Sequence, residues 1–322
     1  MAQPNSNFDE ILTTTLKKYS ASMADNVLEN NTLLRYLKQR GQVVLEDGGY
    51  SLLEGIMFDE NDSFKYYSGY ETLDLTRNDV LTTAEFDWKQ AAVVVQVSGL
   101  EMRQNMGETR VFNRIKELVK VAEKTMANNL AGALYADGSN TKQPGGLRLY
   151  VESTNTASQT STVGGISRGT YSFWRNQAVV YASAADAADI IGRMNNMWIL
   201  TKRGADVPQV IVGDANYFGY YWAALQDIQR ITDFKSGNSG FSSLAYYGPG
   251  GSATVEYDDQ CPANTMYFLN LDYLKWKVHQ DANMRVLEDR NPINQDALVR
   301  PIIWMGQMTI SNCARQGVIA QQ

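Results

Sequence analysis

The chain has 322 residues, 44% hydrophobic and 20% charged, with a formal net charge of −6. That is an ordinary globular composition with room for a sizeable core, and its acidic balance excludes a dedicated nucleic-acid binder, which would carry a basic face. No run of about 18 apolar residues is present to span a membrane, the start MAQPNSNFDE lacks the basic and apolar regions of a signal peptide, and two cysteines, Cys261 and Cys313, fit a reducing compartment without a disulfide framework.

Residues 2–20 are polar with scattered Phe8, Ile11, Leu12 and Leu16. Ser22–Arg40 carries Leu28, Leu33, Leu34 and Leu37 at helical spacing, with Lys38 and Arg40 near its end and Gly41 after it. The first forty residues read as an arm that orders on a partner, against the plainer reading of a frayed terminus. Val43, Val44 and Leu45 then read as a strand ending at the turn Asp47-Gly48-Gly49. The stretch from Gly55 to Lys89 reads as a two-armed excursion with a Tyr-rich tip, each arm about 15 residues and about 50 Å long. It returns through Phe86, Trp88 and the apolar run Ala91–Val97, which is apolar on both faces at Val93, Val94 and Val95. Such a hairpin is poorly stable alone and makes sense if it lies on another subunit.

Thr109–Asp137 organises the rest. Phe112, Ile115, Leu118, Val119, Ala122, Met126, Leu130, Ala133 and Leu134 recur at steps of three and four, which predicts one helix roughly 40 Å long with an apolar stripe. Thr109 is its expected cap and Gly138 its stop, with Glu117, Lys120 and Glu123 on the wet side. Pro144-Gly145-Gly146 marks a boundary. Ser153–Gly165 (STNTASQTSTVGG) reads as a mobile loop.

A compact α/β section follows. Helices are expected over Ala184–Lys202 and Ala215–Arg230, the second capped by Asp214, with a buried strand at Gln209–Val212 between them. Short strands are expected near Leu244–Tyr247, Thr254–Tyr257 and Met266–Asn270. The tail alternates as strand, with a turn at Asp289–Asp296 (DRNPINQD), one long strand over Ala297–Ile310, and Gly317-Val318-Ile319 at the close. No internal repeat is visible.

This order resembles the major capsid protein of tailed bacteriophages, the Hong Kong 97-type fold, of α+β class. TAEFDWKQAAVVVQVSGLEMRQN is similar to the end of that family's extended loop leading into its spine helix, and RVFNRIKELVKVAEKTMANNLAGALYADG to the spine helix itself. SRGTYSFWRN, PQVIVGDANYF and NTMYFLNLDYLKW resemble axial-domain segments, and DALVRPIIWMGQMTISNCARQGVI the closing strands. The resemblance implies an N-terminal arm (1–41), an extended β-hairpin loop with flanking strands (42–100), a spine helix of the peripheral domain (101–145), an axial domain (146–275), peripheral-domain strands (276–310) and a return to the axial domain (311–322).

It further implies hexamers and pentamers in an icosahedral phage head around double-stranded DNA held without sequence-specific binding. A scaffolding protein and portal would serve assembly in the host bacterial cytoplasm, and a decoration protein could join the virion. Many members carry a scaffold-like segment before the arm. This chain starts at the arm, and Met1 favours a separate scaffolding protein. The loop's Phe64, Lys65, Tyr66, Tyr67, Tyr70, Asp74, Arg77 and Asp79 are then the expected intersubunit contacts, the aromatic rings supplying area with few rotatable bonds and the charges setting register. Some members crosslink a loop lysine to a neighbour's asparagine. Lys65 with Asn291 or Asn294 occupies suitable regions, against the plainer reading of three surface residues.

Candidates for chemistry are weak beside this. His279, the single histidine, sits in an alternating strand with no G-x-S-x-G elbow in the chain. Asp258-Asp259 and Asp59-Glu60-Asn61-Asp62 lack calcium-loop spacing, and Tyr247–Ser252 (YGPGGS) lacks the Lys and helix of a phosphate loop. The cysteines lack metal-type spacing. No catalytic, cofactor or metal residue is expected, and the chain reads as a non-enzyme.

Two other readings stand beside the shell of a phage. One is an encapsulin-type bacterial compartment of the same fold, which the N-terminal arm disfavours because encapsulins tend to start with a cargo-docking helix. The other is a soluble hydrolase, which needs a titratable cluster in a pocket. The shell reading depends on residues 42–97 and the first forty finding their burial on sister copies.

Overall fold

The computed structural model describes residues 31–72, 79–100, 108–183, 185–186, 188–228, 244–288, 290 and 294–321. Its framework is a mixed helix-and-sheet body built on two sheets. The first is organised by the long strand β14 (Ala297–Ile310), whose run ALVRPIIWMGQMTI alternates inward and outward from Val299 to Gly306. Along one edge it pairs antiparallel with β4 (Lys89–Ser98), from Ala297 opposite Ser98 to Gly306 opposite Lys89. Along the other edge it pairs with β12 (Leu274–His279) and, further on, with the two-residue β13 (Arg285–Val286). A parallel strand, β1 (Val43–Glu46), completes the sheet beyond β12.

Helix α1 (Thr32–Gln39) precedes that edge. Asn31 caps it by accepting Leu34 N–H at 3.0 Å, and Leu33, Leu34 and Leu37 are fully buried. This is the C-terminal part of the expected Ser22–Arg40 helix, whose earlier residues, with the rest of the arm, lie outside the described residues. Helix α2 (Glu108–Ala133) crosses the first sheet, where its Val119 and Ala122 meet Val97 and Ile302. Met126 and Leu130 then enter the main core together with Leu134 just past the helix end. The helix begins at Glu108, so Thr109 lies inside it. It ends four residues short of Asp137, in turns that tighten to i−3 bonds, Tyr135 N–H to Gly132 and Ala136 N–H to Ala133. Gly138 follows at φ +82°.

The boundary at Gly145-Gly146 has a steric cause. A Cβ on Gly146 would sit 2.2 Å from Ala136 N and 2.6 Å from the Ala133 carbonyl, because the chain returns against the helix end and Leu147 N–H bonds to Leu134 at 2.6 Å. Helix α3 (Leu147–Tyr150) starts there.

The second sheet has six strands in the order β7 (Gln177–Tyr181), β15 (Gly317–Gln321), β11 (Thr265–Leu269), β8 (Val210–Gly213), β10 (Gly251–Tyr257), β9 (Leu244–Gly248). Helices α4 (Ile190–Thr201) and α5 (Ala215–Ile228) cover one face, burying Met194, Met197, Trp198, Tyr217 and Tyr221 against Ile211, Phe268 and Ile319. Asp214 caps α5 as expected, its Oδ1 accepting Tyr217 N–H at 3.0 Å. The opposite face, with Val212, Tyr267 and Val318, enters the main core, where it meets the stacked pair Trp276 and Trp304 of the first sheet. One core therefore joins both sheets.

Three expectations need correction. The Ser153–Gly165 segment is tied to β7 by side-chain hydrogen bonds rather than hanging free as a loop. Thr156 Oγ1 accepts Ala178 N–H at 2.8 Å, and Asn155 Oδ1 accepts Val180 N–H at 3.1 Å. Polar side chains thereby close the outer edge of β7, a standard protection for an edge strand. Gln159 is fully buried in bonds to the Thr154 and Asn176 backbone. Second, Val93–Val95 is not buried on both faces. Only one face of β4 looks toward α2, and Val94 is 52% exposed on the other.

The third correction concerns the excursion. Strand pairing between β2 (Leu52–Met57) and β3 (Leu81–Phe86) runs for six pairs, Leu52 opposite Phe86 to Met57 opposite Leu81, so each arm is about 20 Å of ladder. Among the described residues between them no further strand forms. The ladder also rests on its own chain. Among the described residues of 42–97, Leu52, Glu54, Ile56, Ala84, Phe86 and Val97 are buried by their own chain, while the tip and the outer face of the ladder are exposed.

Candidate assembly surface

The alternation LLEGIM places Leu52, Glu54 and Ile56 on one face of β2, and Ala84 with Phe86 share that face from β3. All five are buried. Phe86 meets Tyr150 edge-on at 5.8 Å between ring centroids, and Phe58, just past β2, stacks on Phe173 at 5.5 Å. The two-residue strands β5 (Thr162–Val163) and β6 (Ile166–Ser167) form a small hairpin under the ladder. Its turn residue Gly164 accepts Glu85 N–H at 3.0 Å.

Glu54 is the one charge on this buried face, and it is fully engaged. Its carboxylate lies 2.8 Å from Lys277 Nζ and 3.0 Å from Lys275 Nζ, both from β12, and accepts the Thr309 hydroxyl of β14 at 3.0 Å. Lys277 also reaches Glu46 of β1 at 3.1 Å. Burial by itself would push the Glu54 carboxyl up, but the hydrogen bonds from the two lysines outweigh it and hold the group below the usual carboxylate range. Burial pulls Lys277 down, and its bonds to Glu54 and Glu46 more than reverse that. The same LLEGIM alternation carries the signal in the sequence: a glutamate in phase with Leu52 and Ile56 must meet cations.

The opposite face of the ladder is uncovered. Leu53, Met57 and Leu81 are exposed, Met57 directly opposite Leu81. Beyond it the tip carries the expected contact residues. Phe64 and Tyr66 meet edge-on at 5.3 Å yet are 75% and 91% exposed, and Tyr67 and Tyr70 are exposed as well. Lys65 donates to the Thr72 carbonyl and Asn61 Oδ1 accepts Ser63 N–H, so local bonds shape the tip. Asp79 sits at the foot of the returning strand. Asp74, Arg77 and Asn291 lie outside the described residues; Asn294 is exposed in the turn before β14.

The residues weighed for chemistry serve the fold. His279 Nδ1 accepts Asp281 N–H at 3.1 Å and its ring meets Trp88 edge-on. Asp59 and Asn61 make turn hydrogen bonds. YGPGGS is the β9–β10 hairpin turn, with Gly250 at φ +81°. Asp258 is buried and accepts the Tyr135 hydroxyl at 2.8 Å, tying the end of α2 to β10. Both cysteines are buried, and burial pushes the Cys261 thiol up to about 12. Among the described residues no helix is long and apolar enough to cross a membrane.

No family profile matches the chain, and no curated protein matches it in sequence. Solved structures do. The capsid of cyanophage A-1(L) is 18% identical, with a TM-score of 0.63 over 87% of this chain and 90% of that one. The capsid of Myoviridae phage XM1 is 7% identical, with a TM-score of 0.54 over 89% and 92%. The holo-SrpI encapsulin complex of Synechococcus elongatus is 11% identical, with a TM-score of 0.52 over 89% and 86%. The chain has the fold of phage capsid proteins, one it shares with an encapsulin.

Proposed function

We propose that the chain is a structural shell subunit, the major capsid protein of a tailed phage, of the Hong Kong 97 type. In this reading α2 is the spine helix, the first sheet with it builds the peripheral domain, and the six-stranded sheet with α4 and α5 builds the axial domain. Hexamers and pentamers close an icosahedral head around double-stranded DNA in the virion, formed in the host cytoplasm with a scaffolding protein and a portal. The chain does no chemistry, and its mild acidity keeps it from gripping DNA that must leave.

The observation that carries this reading is the tip: four aromatic side chains held out on a ladder whose base is locked to its own body. Exposed apolar surface of this kind marks an interaction site, and Phe64, Lys65, Tyr66, Tyr67, Tyr70 and Asp79, with Asp74 and Arg77, would lie across a neighbouring copy. A Lys65 bond to Asn291 or Asn294 of that neighbour would give a ladder of bands above 36 kDa after boiling in denaturant.

The likeness to an encapsulin favours one alternative, a cargo compartment of the same fold. Negative-stain microscopy of the purified chain tests both. Large shells with hexamers between the pentamers support the phage reading, uniform small cages support the compartment, and monomers at high concentration overturn both.

A further inference from the structure

The charge cluster under the hairpin lies wholly within one chain and does not depend on the shell reading. Four charges, Glu46, Glu54, Lys275 and Lys277, balance beneath the ladder, but they are not equivalent. The Glu54 and Lys277 side chains are 7% and 8% exposed, whereas Lys275 and Glu46 are each 34% exposed. Only Glu54 comes from the hairpin. The groups facing it are Lys275 and Lys277 from β12 and Thr309 from β14, with Glu46 of β1 on the far side of Lys277. Of the interactions named here, the Lys277–Glu46 pair alone stays behind if the hairpin lifts.

We propose that Glu54 is a latch that holds the hairpin down on the first sheet and releases it in acid as one unit. A two-stranded ladder is marginal by itself, so its order depends on docking. Neutralising Glu54 leaves Lys277 buried with Glu46 as its one remaining carboxylate, and lifting the ladder lets water reach both lysines. The apolar partners on the same face, Leu52, Ile56, Ala84 and Phe86, set the resistance the latch works against. Because the lysines hold the Glu54 carboxyl below its ordinary value, docking is complete above the ordinary carboxylate range and is lost as pH falls through the lowered value.

Hydrogen exchange on the full-length chain tests this. In Glu54→Gln at neutral pH, the backbone amides of residues 52–57 and 81–86 should exchange about tenfold faster or more, with β8, β11 and β15 unchanged. Unchanged ladder protection overturns the latch. Should Glu54→Gln lose protection everywhere, the natural chain decides. Lowered from pH 7 toward about pH 3, with rates corrected for intrinsic exchange, its ladder must open before the six-stranded sheet. If both open together, or the sheet opens first, the proposal fails.

Discussion

The base and the tip of the same hairpin have opposite fates. At the base, Phe86 is 5% exposed and packs on Tyr150; at the tip, Tyr66 is 91% exposed and its ring meets Phe64 edge-on. Both halves are rich in large rings, so composition does not separate them. What separates them is phase. β2 and β3 alternate strictly, which gives one face to the body, while the tip has no strand period and so no face to give. A side chain on the inner face of the ladder is buried by its own chain, whereas Phe64, Tyr66, Tyr67 and Tyr70 at the tip stay exposed.

The largest effect expected from breaking this contrast is at the platform under the base. Arg168 is fully buried; its guanidinium donates to the Trp174, Leu149 and Tyr150 carbonyls and to Ser161 Oγ, and lies 3.5 Å from Glu152. Arg168→Met strips these acceptors of their donor and should cost about 3–5 kcal/mol, read as a lower urea midpoint. Phe86→Ala should cost about 3–4 kcal/mol by opening a cavity beside Tyr150. Gly164→Ala should cost about 1–3 kcal/mol, since Gly164 has φ +58° and its added Cβ would lie 2.8 Å from Ala84 Cβ. A melt of Gly164→Ala matching the parent would show that the small β5–β6 hairpin is not a fitted seat for the ladder.

Much of this body was legible in the sequence, and the reasons are local. The 3.6-residue stripe from Val119 to Leu134 predicts a helix, and the run Ala297–Ile310 predicts a strand, because each pattern spans enough turns or pairs to outvote its exceptions. Asp214 was legible because the N-cap is chosen by its own hydroxyl or carboxylate. The Thr/Ser segment does not reveal its partners in the sequence, because they are the backbone of β7, some twenty residues on, and polarity alone does not say whether water or an edge strand takes the bonds. The length of the excursion's ladder is not visible in the sequence, because extended character at Phe64–Tyr70 looks the same with or without a partner strand. The phase of Glu54 with Leu52 and Ile56 is visible in the sequence, but its partners Lys275 and Lys277 are not, because they lie more than two hundred residues away.

The smallest effect on the isolated chain should come from the tip, and there the contrast is sharpest. Tyr66→Ala and Tyr70→Ala remove rings with almost no burial, so the unfolding free energy from urea melts should change by no more than about 0.5 kcal/mol. If these rings are anchors on a neighbouring copy, the same substitutions remove contacts worth about 2 kcal/mol or more apiece at that interface, and closed particles should be lost while the soluble chain stays folded. Sedimentation and circular dichroism on one sample read both quantities. Particles that persist with Tyr66→Ala and Tyr70→Ala combined would move the contact surface elsewhere, to the exposed Leu53, Met57 and Leu81 on the outer face of the ladder. A melt that drops with either substitution would mean the tip is held by its own chain after all, and the distinction between base and tip would dissolve.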